Sequence, residues 1–135
     1  METIKVLISW SEDNYAAGTG EVNGIVIATH KNIDKLKLEF EDAFKFHLES
    51  AIEDGDDISE DLKKGRYRIE YEYLTSALLH KLENVVTLSA LHKATGINEK
   101  QLGHYKSGLK NPRPQQRKKI IDGIHYIGKE LLTVV

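Results

Sequence analysis

Residues 88–114 read LSALHKATGINEKQLGHYKSGLKNPRP, and everything on either side of them takes its meaning from this run. Leu88, Leu91 and Ala94 line one side of a first short helix, and Gly96 stands where a backbone at positive φ would end it. Asn98 is placed to cap a second helix. In that helix Leu102 and Tyr105, three residues apart, face the first, while Glu99, Lys100, Gln101, His104 and Lys106 project elsewhere. Ser107, Lys110, Asn111 and Arg113 follow in a basic loop.

Two short helices around a tight glycine turn make the helix-turn-helix arrangement, whose second helix enters the DNA major groove with its N-terminal residues against base edges. Glu99, Lys100, Gln101, His104 and Lys106 include the side-chain types that read bases. Ser107, Lys110, Asn111 and Arg113 suit phosphate contacts that position the helix. The plain alternative is an αα-hairpin with a solvated polar face. Charge along the chain favours DNA. Residues 1–73 hold 9 Lys and Arg against 17 Asp and Glu, and residues 74–135 hold 10 against 4, so the halves carry −8 and +6 although the whole carries only −2. A basic half attracts a polyphosphate and an acidic half is repelled by one, which confines the expected nucleic-acid contact to the C-terminal part.

Outward from the motif toward the N-terminus, Ile4, Val6, Ile8 and Trp10 alternate with Lys5, Leu7 and Ser9, the period of a half-buried strand. SEDN is a turn, and residues 15–22 and 25–30 read as two further strands joined at Asn23-Gly24, giving an antiparallel meander. From Asn32 or Asp34 to about Ile52 the period becomes helical, with Ile33, Leu36, Phe40, Ala43, Phe44, His47 and Ala51 on one stripe. Residues 53–61 are acidic and turn-rich. Then Tyr67, Ile69, Tyr71 and Tyr73 alternate with Arg68, Glu70 and Glu72 as a fourth strand. The expected order is β-β-β-α-β, an α+β unit with one core. After Tyr73 the period stays helical: Leu74, Ala77, Leu78 and Leu82 precede the motif, and Pro112 and Pro114 introduce a last helix carrying Ile120, Ile121, Ile124, Ile127 and Leu131. This divides the chain at 73/74, an α+β half followed by an all-α half.

The chain has 135 residues, 40% of them hydrophobic, and no cysteine, which removes disulfides and thiol catalysis. No apolar run approaches the roughly 18 to 20 residues needed to span a bilayer. The opening METIKVLISWSEDN has neither the apolar core nor the cleavage site of a signal peptide, so the expectation is a cytoplasmic protein with no membrane partner.

The run TGINEKQLGHYKSGLKNPRPQQRKKI resembles the helix-turn-helix of phage-repressor-type regulators, in the form found at the C-terminus of HicB-family antitoxins. IKVLISWSEDNYAAGTGEV through FEDAFKFHLE resembles the N-terminal domain of the same family, a partial ribonuclease-H-like unit. Together they cover nearly the whole chain. The resemblance implies an antitoxin of a type II toxin-antitoxin pair, with residues 1–73 masking a small basic HicA-like ribonuclease toxin. Residues 74–135 would bind double-stranded operator DNA and repress transcription of the operon, and no enzymatic activity or cofactor would be involved. It places Asn98, Glu99, Lys100, Gln101 and His104 on the base-facing side of the recognition helix, and Lys106, Lys110, Asn111 and Arg113 on its flank and in the loop beyond. The sequence departs from the pattern at three points: His92 stands where a small residue is usual, Leu88 stands where many such regulators place Gln, and EVNGIVIA lacks the Pro-Gly-Cys element of the family's second hairpin.

Other readings are a DNA-binding regulator without a toxin partner and a metal-dependent nuclease. The nuclease would use Asp13, Glu39 and Glu72 to hold Mg²⁺, although acids are abundant throughout this half. Of the histidines, at 30, 47, 80, 92, 104 and 125, none forms an HxxxH pair, so no metal site is expected. GTG at 18–20 lacks the Gly-Lys of a phosphate-binding loop and reads as strand relief. The acidic half also suits a basic protein ligand. Because one such motif reads few base pairs, a homodimer or higher homo-oligomer is expected.

Overall fold

Alternation in the first strand becomes burial: in β1 (Glu2–Ser11) Val6 and Ile8 are fully buried, while Thr3 and Lys5 face solvent. A computed structural model describes residues 1–20 and 27–135, so the Asn23-Gly24 turn lies outside the described residues. β1 turns back through Glu12 and Asp13 into β2 (Asn14–Gly18), with Ser11 opposite Asn14 and Glu12 at φ 56° in the left-handed region. Trp10 and Tyr15 stand opposite each other and pack edge to face at 4.8 Å. β3 (Ile27–His30) pairs antiparallel with β2, completing the meander. β4 (Tyr67–Tyr73) lies on the other side of β1 and parallel to it, with Ile4 opposite Ile69 and Val6 opposite Tyr71. The sheet is therefore mixed, in the order β3-β2-β1-β4.

A parallel pairing requires a long crossover, which α1 (Ile33–Glu53) supplies. The Asn32 side chain caps it by accepting from the Lys35 N–H at 3.0 Å. Leu36, Phe40, Phe44, Leu48 and Ala51 are buried, a row with steps of four and a last step of three that brings in Leu48 and leaves His47 only half-buried. Phe40 meets Tyr71 and Phe44 meets Tyr67, both edge to face, so the helix covers the aromatic side of β4. Burial, then the neighbouring Glu41 carboxylate, push the Tyr71 phenol up to about 12. After α1 the acidic segment contains a one-turn helix, α2 (Glu60–Lys63), capped by Ser59. Four residues give no periodic stripe, so the sequence showed only a turn there.

The chain divides into two compact units, Met1–Leu74 and Thr75–Val135. Leu74 closes the first by donating its N–H to the Ile8 carbonyl at 2.8 Å, one residue beyond the sequence-based boundary. The second contains α3 (Thr75–Lys81), α4 (Leu88–Thr95), α5 (Glu99–Ser107) and α6 (Pro114–Leu132) around Leu79, Leu91, Ile97, Leu102, Tyr105 and Ile120. The described residues thus form an α+β fold with one four-stranded mixed sheet and six helices. None of these helices is long and apolar enough to cross a membrane.

Candidate nucleic-acid interface

The α4–α5 turn is built by four local devices. Thr87 caps α4 by accepting from the Ala90 N–H at 3.0 Å, and Gly96 ends it at φ +77°, a conformation that costs an L-residue about 1 to 2 kcal/mol. Thr95 Oγ1 donates to the Leu91 carbonyl at 2.6 Å and accepts from the Ile97 N–H at 3.1 Å. His92 Nδ1 lies 2.9 Å from the Ile97 carbonyl oxygen, which can only accept, so this nitrogen carries the proton. Both backbone groups of buried Ile97 are thereby satisfied by side chains of α4. His92 stands five residues ahead of its partner, so no helical spacing signals the pairing; its departure from a small residue places a hydrogen-bonding group on the turn.

Asn98 then caps α5, its side-chain oxygen accepting from the Gln101 N–H at 2.8 Å. Leu102 and Tyr105 are buried against the core. Seen from there, the residues singled out by sequence separate into two groups. Asn98, Glu99, Lys100, Lys110, Asn111 and Arg113 are exposed. Gln101, His104 and Lys106 are half-buried. The Gln101 amide nitrogen donates one of its two N–H groups to the Tyr105 hydroxyl at 2.8 Å. Lys106 Nζ is 2.9 Å from Glu83, on the segment after α3, and the same carboxylate lies 3.5 Å from His80 Nδ1. The Lys106 hydrogen bond holds the Glu83 carboxyl below its usual range, and burial lowers His80. Lys106 is thus tied to the scaffold. His104 Nδ1 is buried without a hydrogen-bond partner among the described residues.

The basic loop folds back on α5. Gly108, at φ +81°, ends the helix, and the Lys110 N–H donates to the His104 carbonyl at 3.2 Å. Pro114 occupies the first turn of α6 and Arg117 reaches the Thr75 hydroxyl at 2.8 Å, anchoring that turn to α3. Behind the turn, Gln116 and Lys119 of α6 join Asn98, Gln101 and Thr95 around an open polar concavity of about 450 Å³. Gln116 and Lys119 were not foreseen from sequence, since their place beside Asn98 depends on how α6 packs on α4. Lys100, Lys110, Arg113 and Lys119 form no ion pair among the described residues.

The three carboxylates considered for metal binding have separate settings. Glu39 lies 4.0 Å from His30 and Glu72 lies 3.5 Å from Lys5, while Asp13 sits in the β1–β2 turn. Among the described residues no group of three His, Asp or Glu is placed to hold a metal ion. Comparison with family models, with curated proteins and with solved structures finds no match to this chain.

Proposed function

We propose that this protein is a two-part antitoxin-type repressor, in which Thr75–Val135 binds double-stranded operator DNA through a helix-turn-helix formed by α4 and α5. Met1–Leu74, read as a partial ribonuclease-H-like unit of the HicB kind, masks a small basic HicA-like toxin. The observation that carries the DNA half is the amphipathic build of α5 in the +6 part of the chain: Leu102 and Tyr105 are buried while Glu99, Lys100 and the loop residues Lys110, Asn111 and Arg113 are exposed. Exposed side chains at a helix N-terminus can meet base edges, and cations beyond its C-terminus can meet phosphates. The masking half rests on the −8 charge of the first unit and on the sequence resemblance. Two copies acting on paired half-sites give the affinity a single α5 lacks. A cytoplasmic setting and the absence of catalysis belong to the same reading.

The test uses the full chain with duplex DNA from upstream of its own reading frame, and co-expression with the small basic protein encoded beside it. Binding of that DNA in preference to random duplex, together with rescue of growth from the neighbouring protein, is expected. Specific DNA binding without rescue would leave a regulator with no toxin partner, and rescue without DNA binding would remove the repressor half. Mg²⁺-dependent cleavage of an RNA–DNA hybrid that disappears on Asp13→Asn would support the nuclease instead.

A further inference from the structure

Helix α1 has a second face, opposite the row it buries on the sheet. Leu38 is 63% exposed and Phe46 71% exposed, and the exposed Asp42 lies midway between them. Spaced by four, the three form one ridge of the helix, with the apolar pair about 12 Å apart along the axis. Glu49 and Glu53, three and seven residues past Phe46, lie on the same side of the helix and are exposed, and Ile52, 40% exposed, lies on its flank. Lys35 and Lys45 are the cations on this side. Lys37 is turned to the sheet, its ammonium 4.9 Å from the Tyr71 ring centre and 5.4 Å from that of Tyr73. A single exposed leucine requires no explanation. A leucine and a phenylalanine on one ridge, with Asp42 between them and Glu49 and Glu53 beyond, give a surface on which apolar and acidic groups alternate.

We propose that this outer ridge of α1 is a docking surface for a basic amphipathic helix of a partner protein. Resting on the reading of the first unit as the partner-binding half, the proposal assigns that role to one face of it. Ridges spaced by four pack into the grooves of a second helix, so a partner's apolar side chains seat beside Leu38 and Phe46. Its Lys or Arg then meet Asp42, Glu49 and Glu53. Charge selects this occupant: the first half carries 17 carboxylates against 9 basic residues, which repels nucleic acid, anionic membrane and a second copy of the same face.

The probe is a fluorescent peptide of Leu and Lys spaced to form an amphipathic helix, with a scrambled peptide of the same composition as control, titrated with the full chain. The amphipathic peptide is expected to bind about tenfold more tightly than the scrambled one, and the Leu38→Ser/Phe46→Ser double variant to lose about that factor. Asp42→Asn/Glu49→Gln should weaken binding at low salt and much less at high salt. Circular dichroism and DNA affinity of the Leu38→Ser/Phe46→Ser variant serve as folding controls, since these side chains lie on the surface. Equal peptide binding by the double variant and the original chain would overturn the proposal. So would sedimentation showing that the chain self-associates through Leu38 and Phe46 without peptide, which would give the ridge to the basic half of a second copy. Neither result depends on operator binding or toxin rescue, so this inference can fail while the proposed function stands.

Discussion

Gly123→Ala probes the framework that holds α4 against α6. A Cβ at Gly123 would lie 2.5 Å from Thr95 Cγ2 and 3.6 Å from Ala94 Cβ, so the first contact must open by roughly 1 Å to reach ordinary van der Waals distance. Thr95 is held in place, because its hydroxyl donates to Leu91 and accepts from Ile97. The helices must separate instead. Alanine in a helix interior gains about 1 kcal/mol over glycine, and overpacking costs about 1 to 3 kcal/mol. The expected result is a net loss of about 1 kcal/mol, up to about 2. Thr95→Ser keeps the hydroxyl and removes Cγ2, so on that background the helix-propensity gain should survive and Gly123→Ala should become neutral or stabilising. Urea unfolding of the four chains of this cycle, followed by circular dichroism, gives a coupling of about 2 kcal/mol if the close approach is the cause. Additive effects, or stabilisation by Gly123→Ala in the presence of Thr95, would refute the packing argument.

Other perturbations give separate readouts. Gly96→Ala meets no atom within 4 Å, so backbone strain at φ +77° alone should cost about 1 to 2 kcal/mol in the same unfolding assay. Leu102→Ala, at a fully buried position, should cost about 2 to 5 kcal/mol and abolish DNA binding through loss of the core rather than of a contact. His80, lowered by burial, stays neutral in the folded chain at a pH where the unfolded chain already takes up a proton. Stability should therefore fall as pH drops from about 6.5 toward the lowered folded value, and level off outside that window. His80→Gln should flatten that part of a stability–pH profile, and an unchanged slope would remove His80 as its source.

Local patterning carried much of the fold. The alternation from Tyr67 to Tyr73, the helical stripe through Phe40 and Phe44, and the Gly96 and Asn98 signals each specify an element within a few residues of themselves. What the sequence withheld is non-local. The parallel partnership of β4 with β1 joins residues more than sixty apart, and the α4–α6 approach depends on Gly123 meeting Thr95. At the candidate interface, residue type and spacing identified the polar set but not its internal ties. Lys106 looked like its neighbours until Glu83 was found 2.9 Å away, and Gln101 could not be seen to share its amide with Tyr105. Gln116 and Lys119 were missed because they lie a full loop and helix start away from Asn98 in the chain.

Gln101→Ala and Lys110→Ala separate reading from anchoring. With one of its two amide N–H groups given to Tyr105, Gln101 keeps the other N–H and its carbonyl oxygen for a base edge, so its loss on the cognate operator should cost about 1 to 3 kcal/mol, with little change on random duplex. Lys110→Ala should weaken both by similar factors. The most direct measurement is the salt dependence of duplex binding by the full chain, compared with a Lys100→Ala/Lys110→Ala/Arg113→Ala variant. Each phosphate contact contributes about 0.9 to the slope of log affinity against log salt, so the variant should show a slope shallower by two to three units. An unchanged slope would mean that the phosphates are held elsewhere on the chain, and would contradict the placement of DNA on α5 and its following loop.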